Sequence, residues 1–285
     1  MVSYKQWLLQ AKKSAVASGI ETSSVEWLLF DLLGWTRVTL LCDGDEQMSE
    51  SDTQCLNEGL TRLLAGEPVQ YITEQATFYG RTYHVDSRVL IPRPETEEVV
   101  AAFIEKCPKS GRIADIGTGS GIIALTVKQE CPHIEVWASD ISSDALVVAR
   151  QNAEHHHATI HMLEGSVLSP FIENNIRLDG LISNPPYIGE EEMPQMGANV
   201  LTHEPHLALF ADDKGYAIYA QLLRDLPKVM SEGAPIVFEI GYQQGNALCE
   251  MARSYYPHLQ PEVMSDINGN PRIFYMTWHA SPEEK

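Results

Sequence analysis

Seven residues, Asp115-Ile116-Gly117-Thr118-Gly119-Ser120-Gly121, stand between an apolar strand pattern and the start of a helix at Ile122-Ile123-Ala124-Leu125. A strand that passes into a helix through closely spaced glycines belongs to an α/β layer, because only there does the backbone turn so tightly at a strand end. The surrounding chain agrees. From about residue 94 a helix through Val99, Val100, Phe103 and Ile104 precedes a strand at 112–116. Helix 120–130, strand 134–139, helix 142–155, strand 159–164 and strand 178–183 follow. After a long loop come helix 215–230, strand 234–240 and helix 243–255. Alternation of this kind predicts a mainly parallel, doubly wound, Rossmann-like sheet. Two last strands, near 259–265 and 272–278, flank the turn Asn268-Gly269-Asn270-Pro271 and predict an antiparallel edge strand.

The first 75 residues have another texture. Ser3 can cap a helix with Tyr4, Leu8, Ala11 and Ala15 on one face, ending near Gly19. A second helix carries Val25, Leu28, Leu29, Leu32 and Leu33 up to Gly34, and a third carries Leu56, Leu60, Leu63 and Leu64 up to Gly66. Three short amphipathic helices predict a small bundle over 1–75. The aromatic and β-branched run Ala76 to Val85, centred on Gly80, predicts a hairpin. Pro92 and Pro94 then impose an extended stretch, so 76–92 reads as a linking hairpin and 93–285 as the second domain.

Charge narrows the partners. Lys and Arg number 20 against 39 Asp and Glu, a formal charge of −19, which repels phosphate backbones and favours basic partners. The five cysteines are scattered with no CxxC pair, which suggests neither a disulfide framework nor a zinc site and fits a reducing, cytoplasmic setting. No apolar run is long enough to span a bilayer.

The glycine turn has the spacing G-x-G-x-G, with Asp115 two residues before Gly117. That acid suits an α-amino group better than a pyrophosphate, while the free N–H groups at the helix start suit a carboxylate. Asp140 ends the next strand, about 20 residues on, where an acid holds ribose hydroxyls. Alone, the turn would equally fit a plain tight turn or a nicotinamide site. With both acids it points to S-adenosylmethionine, held by Asp115, Gly117, Thr118, Gly119, Ser120, Gly121 and Asp140. Val167 or Ser166 falls where adenine would lie, though Val167 fits a core position nearly as well.

At the end of the following strand stands Asn184-Pro185-Pro186-Tyr187. Ligands of open α/β sheets sit at the carboxyl ends of the strands. A carboxamide nitrogen is a poor nucleophile, its lone pair being delocalised, so its two N–H bonds must be held and aimed. The Asn184 oxygen can accept one, and the Pro185 carbonyl the other. Pro186 removes a competing donor, and Tyr187 offers a flat face to a planar group. The motif therefore predicts N-methylation, with Asn184, Pro185 and Tyr187 catalytic, all four residues on the substrate and Asn184 also near the cofactor.

Beyond these two motifs the chain carries Gly66-Glu67-Pro68 with Tyr71-Ile72, Phe78-Tyr79-Gly80, and Ile91-Pro92-Arg93-Pro94-Glu95-Thr96-Glu97. It also carries Glu204-Pro205 with Ala208-Leu209, and Glu239-Ile240-Gly241 with Gln243-Gln244-Gly245. Along nearly its whole length it resembles the peptide chain release factor glutamine N5-methyltransferases, the segment Ile91–Glu97 being the most specific element. The resemblance implies methylation of the glutamine in the Gly-Gly-Gln motif of release factors, modulating translation termination. It further implies a helical N-terminal domain that recognises the factor. By position, it puts Gly117 to Gly121, Asp140, Val167 and Asn184 on the cofactor, and Asn184 to Tyr187 on the glutamine. The rival reading is an adenine or cytosine amino-methyltransferase using the same four residues, which needs a basic surface this chain lacks. His155-His156-His157 with His161 has no carboxylate or cysteine to complete a metal site and suits a helix end. Glu239 either sits near the pocket or merely ends a strand, and Arg93 and Glu97 either shape the pocket entrance or start a helix.

Overall fold

The computed structural model describes residues 2–281, which divide into two compact units. The first takes the chain up to Ala76 with Val85–Ser87 and Gly197–His203, and the second takes Thr77–His84, Arg88–Met196 and the chain from Glu204 onward.

The first unit contains α1 (Tyr4–Ala17), α2 (Thr22–Leu33), α3 (Arg37–Asp43), α4 (Glu50–Leu64) and α5 (Val69–Thr73). Ser3 caps α1 by accepting from the Gln6 N–H, and Gly34 closes α2 at φ 65°. Trp7, Leu8, Leu28, Leu29, Leu56 and Leu63 form its buried centre. The expected three helices are α1, α2 and α4. The two further helices leave no apolar period to read: α3 buries no residue, and α5 is little more than one turn after Pro68.

The hairpin is β1 (Gln75–Phe78) and β2 (Arg81–His84), joined by Tyr79 at φ 52° and Gly80 at φ 73°, the two positive values of a type I′ turn. The stretch 76–92, expected as a linker, is shared between the units. Its Phe78 and Tyr83 are buried in the core of the second, which is why the hairpin's turn and second strand group there.

Then come α6 (Pro94–Lys106), β3 (Arg112–Ile116), α7 (Ile122–Glu130), β4 (Glu135–Asp140), α8 (Ser143–His155), β5 (His161–Glu164), α9 (Ser169–Glu173) and β6 (Gly180–Ser183). The long loop after β6 holds 3-10 turns at Glu190–Gln195 and His206–Ala208, α10 (Ala198–His203) and α11 (Asp212–Gly215). The last is one turn in which Asp213, Lys214 and Gly215 all hold positive φ. The chain continues through α12 (Ala217–Val229), β7 (Pro235–Glu239), α13 (Gly245–Tyr255), β8 (Glu262–Ser265) and β9 (Pro271–Thr277).

The seven-stranded sheet has the order β5-β4-β3-β6-β7-β9-β8. The first five run parallel, and β9 is antiparallel to both its neighbours, so the expected antiparallel element is a terminal hairpin with β8 outermost. Strand order reverses between β3 and β6, which makes their carboxyl ends the crevice of the sheet. Alternate residues feed two cores. Ile113, Ile182 and Val237 join the side chains of α6 and α7, while Ala114, Leu181, Ile236 and Phe238 join those of α12 and α13. Gly180 lets α6 lie close on β6: a Cβ there would come within 3.1 Å of the Phe103 ring. Phe103 is fully buried, so Phe103→Ala should cost about 3–5 kcal/mol. Urea denaturation should show this as a lower midpoint at unchanged slope.

Candidate active site

The two motifs meet because β3 and β6 pair in one register. Ile116 lies opposite Ser183, and the Ser183 hydroxyl donates to the Ile116 carbonyl at 2.6 Å. Gly117 and Asn184, the next residue of each strand, therefore leave the sheet side by side.

The glycine loop is folded by backbone bonds. The N–H groups of Gly117 and Thr118 both donate to the Ser139 carbonyl, at 2.8 and 2.9 Å. Gly117 and Gly119 hold φ 72° and 55°, and a Cβ on either would meet no protein atom. Both line a cavity of about 230 Å³, so their bare backbone faces space for a ligand. Gly121, at φ 81°, has a different reason: a Cβ would press on Ala149 of α8 at 3.1 Å. The Ser120 carbonyl accepts from Asn152, which also holds both backbone groups of His84 in the hairpin.

Asp115 lies beneath these glycines and not on the cavity wall. Its Oδ2 accepts from the Thr118 hydroxyl at 2.6 Å and the Ala124 N–H at 3.1 Å, while its buried Oδ1 has no partner. Burial pushes its pKa up to about 7 against those two hydrogen bonds, and the neighbouring Asp140 adds to the rise. Asp140 does line the cavity. Its two oxygens accept from the N–H groups of Gly119, at 2.8 Å, and Ser142, at 2.9 Å. Burial raises its pKa too, opposed by the backbone donors. The cap of α8 is Ser142, leaving Asp140 to the loop and cavity.

Gly165, Ser166 and Val167 form another part of the wall. Val167 is held at φ 50°, a costly conformation for a β-branched side chain, about 1–3 kcal/mol. It is buried in the core and also lines the cavity.

Asn184, Pro185 and Pro186 line the same cavity, whereas Tyr187 is turned away from it. The Asn184 Nδ2 donates to Thr96 Oγ1 at 3.3 Å, and that hydroxyl donates to Glu239 Oε2 at 2.6 Å. The Tyr187 phenol donates to Glu239 Oε1 at 3.3 Å. Burial beside Glu239 raises the Tyr187 pKa, so the phenol stays protonated. The Tyr187 carbonyl accepts from Gln244 Nε2 at 2.9 Å and is packed against Gly215. Glu239, expected either near the pocket or merely at a strand end, is the buried acceptor behind the motif.

The segment Ile91–Glu97 sends its polar groups to three separate parts of the chain. Glu204, itself buried, receives the Ile91 N–H at 3.2 Å and the Arg93 guanidinium at 2.6 Å. Thr96 faces Glu239, and Glu97 accepts the Tyr79 N–H of the hairpin turn at 2.7 Å. Thr96, Glu204, Gly215 and Gln244 are not legible in the sequence as site residues, since each partner lies far away along the chain. The histidines are elsewhere: His156 bonds the Thr82 carbonyl and packs on Tyr83, and His161 stacks on Trp137.

A switch-point crevice with bare glycines on one wall, an acid at the next strand end and an asparagine-diproline loop beside them is the site of an S-adenosylmethionine-dependent methyltransferase. The donor set fits that cofactor: bare backbone for close approach, a carboxylate for hydroxyls, and apolar flanks at Ile141 and Val167. Residues 95–213 match the methyltransferase small domain family, and 6–73 match the PrmC N-terminal domain. Release factor glutamine methyltransferase from Staphylococcus aureus is 46% identical over 98% of this chain and 100% of its own length. Its counterpart from Bacillus subtilis is 40% identical, covering 93% of this chain and 94% of that one. The chain belongs to the release factor glutamine methyltransferase family. Among solved structures, the hMettl16 catalytic domain in complex with MAT2A 3'UTR hairpin 6 superposes with a TM-score of 0.55 at 13% identity, covering 79% of this chain and 83% of that one. A methyltransferase from Pyrococcus furiosus superposes at 0.52 and 14% identity, covering 78% and 98%. At such identities these two share the fold alone.

Gly215 tests the packing behind the motif. A Cβ there would overlap the Tyr187 carbonyl oxygen, and φ 83° disfavours any side chain. Gly215→Ala should lower methyl transfer at least about tenfold by displacing the loop. Affinity for S-adenosylmethionine, measured by calorimetry, should stay near wild type, because Gly215 does not line the cavity.

Proposed function

We propose that this protein transfers a methyl group to the N5 side-chain nitrogen of the glutamine in the Gly-Gly-Gln motif of a peptide chain release factor. The observation that carries the reading is the placement of Asn184 on the cavity wall, beside the glycine loop, with its amide N–H already engaged by Thr96.

Gly117, Thr118, Gly119, Ser120, Asp140 and Val167 would hold the cofactor, with Asp115 and Gly121 bracing the loop from beneath. When bound, S-adenosylmethionine supplies an electrophilic methyl group on a sulfonium. The chain's own part is to present the nucleophile. Asn184 Oδ1 accepts one N–H of the glutamine carboxamide and the Pro185 carbonyl accepts the other, which orients the nitrogen lone pair. Tyr187, turned away from the cavity and held at its phenol by Glu239 and at its carbonyl by Gln244, keeps the loop rigid from behind instead of facing the planar group. No strong base acts before attack. The methylated nitrogen is far more acidic and releases its proton afterwards. Apolar walls exclude water while charge is redistributed.

The net charge of −19 supports a protein substrate over a nucleic acid. Recognition of the release factor falls to the helical bundle of residues 1–75, and a cytoplasmic setting follows from such a substrate. Among the described residues no helix is long and apolar enough to cross a membrane.

The test incubates the protein with methyl-labelled S-adenosylmethionine and a purified release factor, then with the same factor lacking the motif glutamine. Label is expected in the first alone, and label that persists in the second rejects the target. Asn184→Ala should keep cofactor affinity within a few-fold and lower kcat about 10²–10³-fold, the scale for losing one preorganised hydrogen-bond partner of the reacting group. Turnover near wild type would remove Asn184 from the mechanism.

A further inference from the structure

We propose that Glu239 and Thr96 form a positioning pair: the Glu239 carboxylate fixes the direction of the Thr96 hydroxyl, which fixes the Asn184 carboxamide with its oxygen toward the substrate nitrogen. The inference rests on the reading of Asn184 as the acceptor for the substrate amide.

The two ends of an asparagine amide have nearly the same shape, so packing alone does not tell them apart. Hydrogen bonding does. If the amide is reversed, an N–H of Asn184 faces an N–H of the substrate, donor against donor. Thr96 has one proton to give. That proton goes to Glu239 Oε2 at 2.6 Å, which leaves Thr96 Oγ1 only lone pairs toward Asn184. Asn184 must therefore meet it with Nδ2, at 3.3 Å, and Oδ1 is left for the cavity. Direction runs one way along the chain, from Asn184 through Thr96 to an acceptor that has no proton of its own.

Glu239 is built to be that acceptor. It is 1% exposed, at the end of β7. Thr96 and Glu95 face it from α6, Tyr187 from the loop after β6, Tyr219 from α12 and Arg272 from β9. The Tyr187 phenol donates to its second oxygen, and the Tyr219 phenol pins its backbone carbonyl at 2.6 Å. The nearby Arg272 charge favours the ionised form, against burial and the repulsion of Glu95. Burial wins in part and raises its pKa to about 6, so at pH 7 the carboxylate prevails. Once protonated, Glu239 carries a donor of its own. The Thr96 hydroxyl is then no longer compelled toward it, and the Asn184 amide is free to reverse. Activity that depends on the ionised form is present above this pKa and is lost as pH falls through it.

The experiment measures single-turnover methylation of a release factor against pH, at saturating S-adenosylmethionine. Saturation keeps titration of Asp115, beneath the glycine loop, out of the rate. Wild type should show an acid limb near pH 6. Thr96→Val keeps the shape and removes the hydroxyl, and it should slow the reaction about ten- to hundredfold, the range for partners that orient an active-site group. Its cofactor Kd should stay within about threefold of wild type, because the hydroxyl's partners are Asn184 and Glu239 and not the glycine loop. Thr96→Ser should restore the rate to within about threefold, together with the acid limb. Glu239→Gln has no titrating group at this position, so its profile should lack the limb whatever its rate. A wild-type rate in Thr96→Val, or an unchanged limb in Glu239→Gln, overturns the positioning pair. If Thr96→Val does not fold, the Glu239→Gln profile decides alone. Should Asn184→Ala keep full turnover, the underlying assignment of Asn184 fails instead.

Discussion

One strand register carries the site. Ile116 and Ser183 face each other at the ends of β3 and β6, tied by the Ser183 hydroxyl to the Ile116 carbonyl across 67 residues of sequence. The glycine turn and the Asn184 loop both begin one residue later. A slip of one residue would turn each strand over and send its apolar side chains to the wrong face. Both faces are buried, Ile113 and Ile182 to one side, Ala114 and Leu181 to the other, so the slip is excluded by the two cores. The geometry at the crevice is thus a consequence of packing in the sheet beneath it.

On that base the segment Ile91–Glu97 joins pieces that the sheet does not. Pro94 opens α6 at its first position, where a missing N–H costs nothing, and the residue before a proline is held extended. Thr96 consequently falls in the first turn, aimed at β7, while Arg93 and Ile91 stay outside the helix and reach Glu204. Unfavourable backbone is found around the same crevice: Val167 at φ 50°, and Asp213 and Lys214 at φ 58° and 57° just before the glycine that packs on Tyr187. Such residues cost about 1–3 kcal/mol each and persist where surrounding contacts over-determine them.

What the sequence discloses is what has a short-range cause. Strand Arg112–Ile116 reads off its apolar run, the glycine turn off its spacing, and the helix after Pro94 off the proline. Asn184 is visible because the fold itself rarely needs a polar residue before two prolines at a strand end. Thr96 is not visible, because a threonine early in a helix is ordinary, and its partners lie 88 and 143 residues away. Nor is the place of Asp115 beneath the loop, since spacing alone does not say whether an acid faces a ligand or the backbone. The 190–215 region reads as loop because its four short turns bury too little to leave a period.

The acids of the site share one arrangement, and it bears on the chemistry. Asp115, Asp140 and Glu239 are buried or nearly so, and burial raises the pKa of each. Yet each is held by donors of the protein: Asp115 through one oxygen by Thr118 and Ala124, Asp140 through both by Gly119 and Ser142, and Glu239 through both by Thr96 and Tyr187. Methyl transfer from a sulfonium to a neutral amide spreads one positive charge over two centres. A bare carboxylate aimed at the sulfonium would stabilise the concentrated charge of the ground state more than the dispersed charge of the transition state, and would slow the step. Carboxylates bound to N–H and O–H donors instead fix the loop and the motif, while the cavity wall at Ile116, Ile141, Val167, Pro185 and Pro186 stays apolar. Negative charge in this site therefore acts on the geometry of the chain, and under the proposed function the reacting centre is left to neutral acceptors, the Asn184 oxygen and the Pro185 carbonyl.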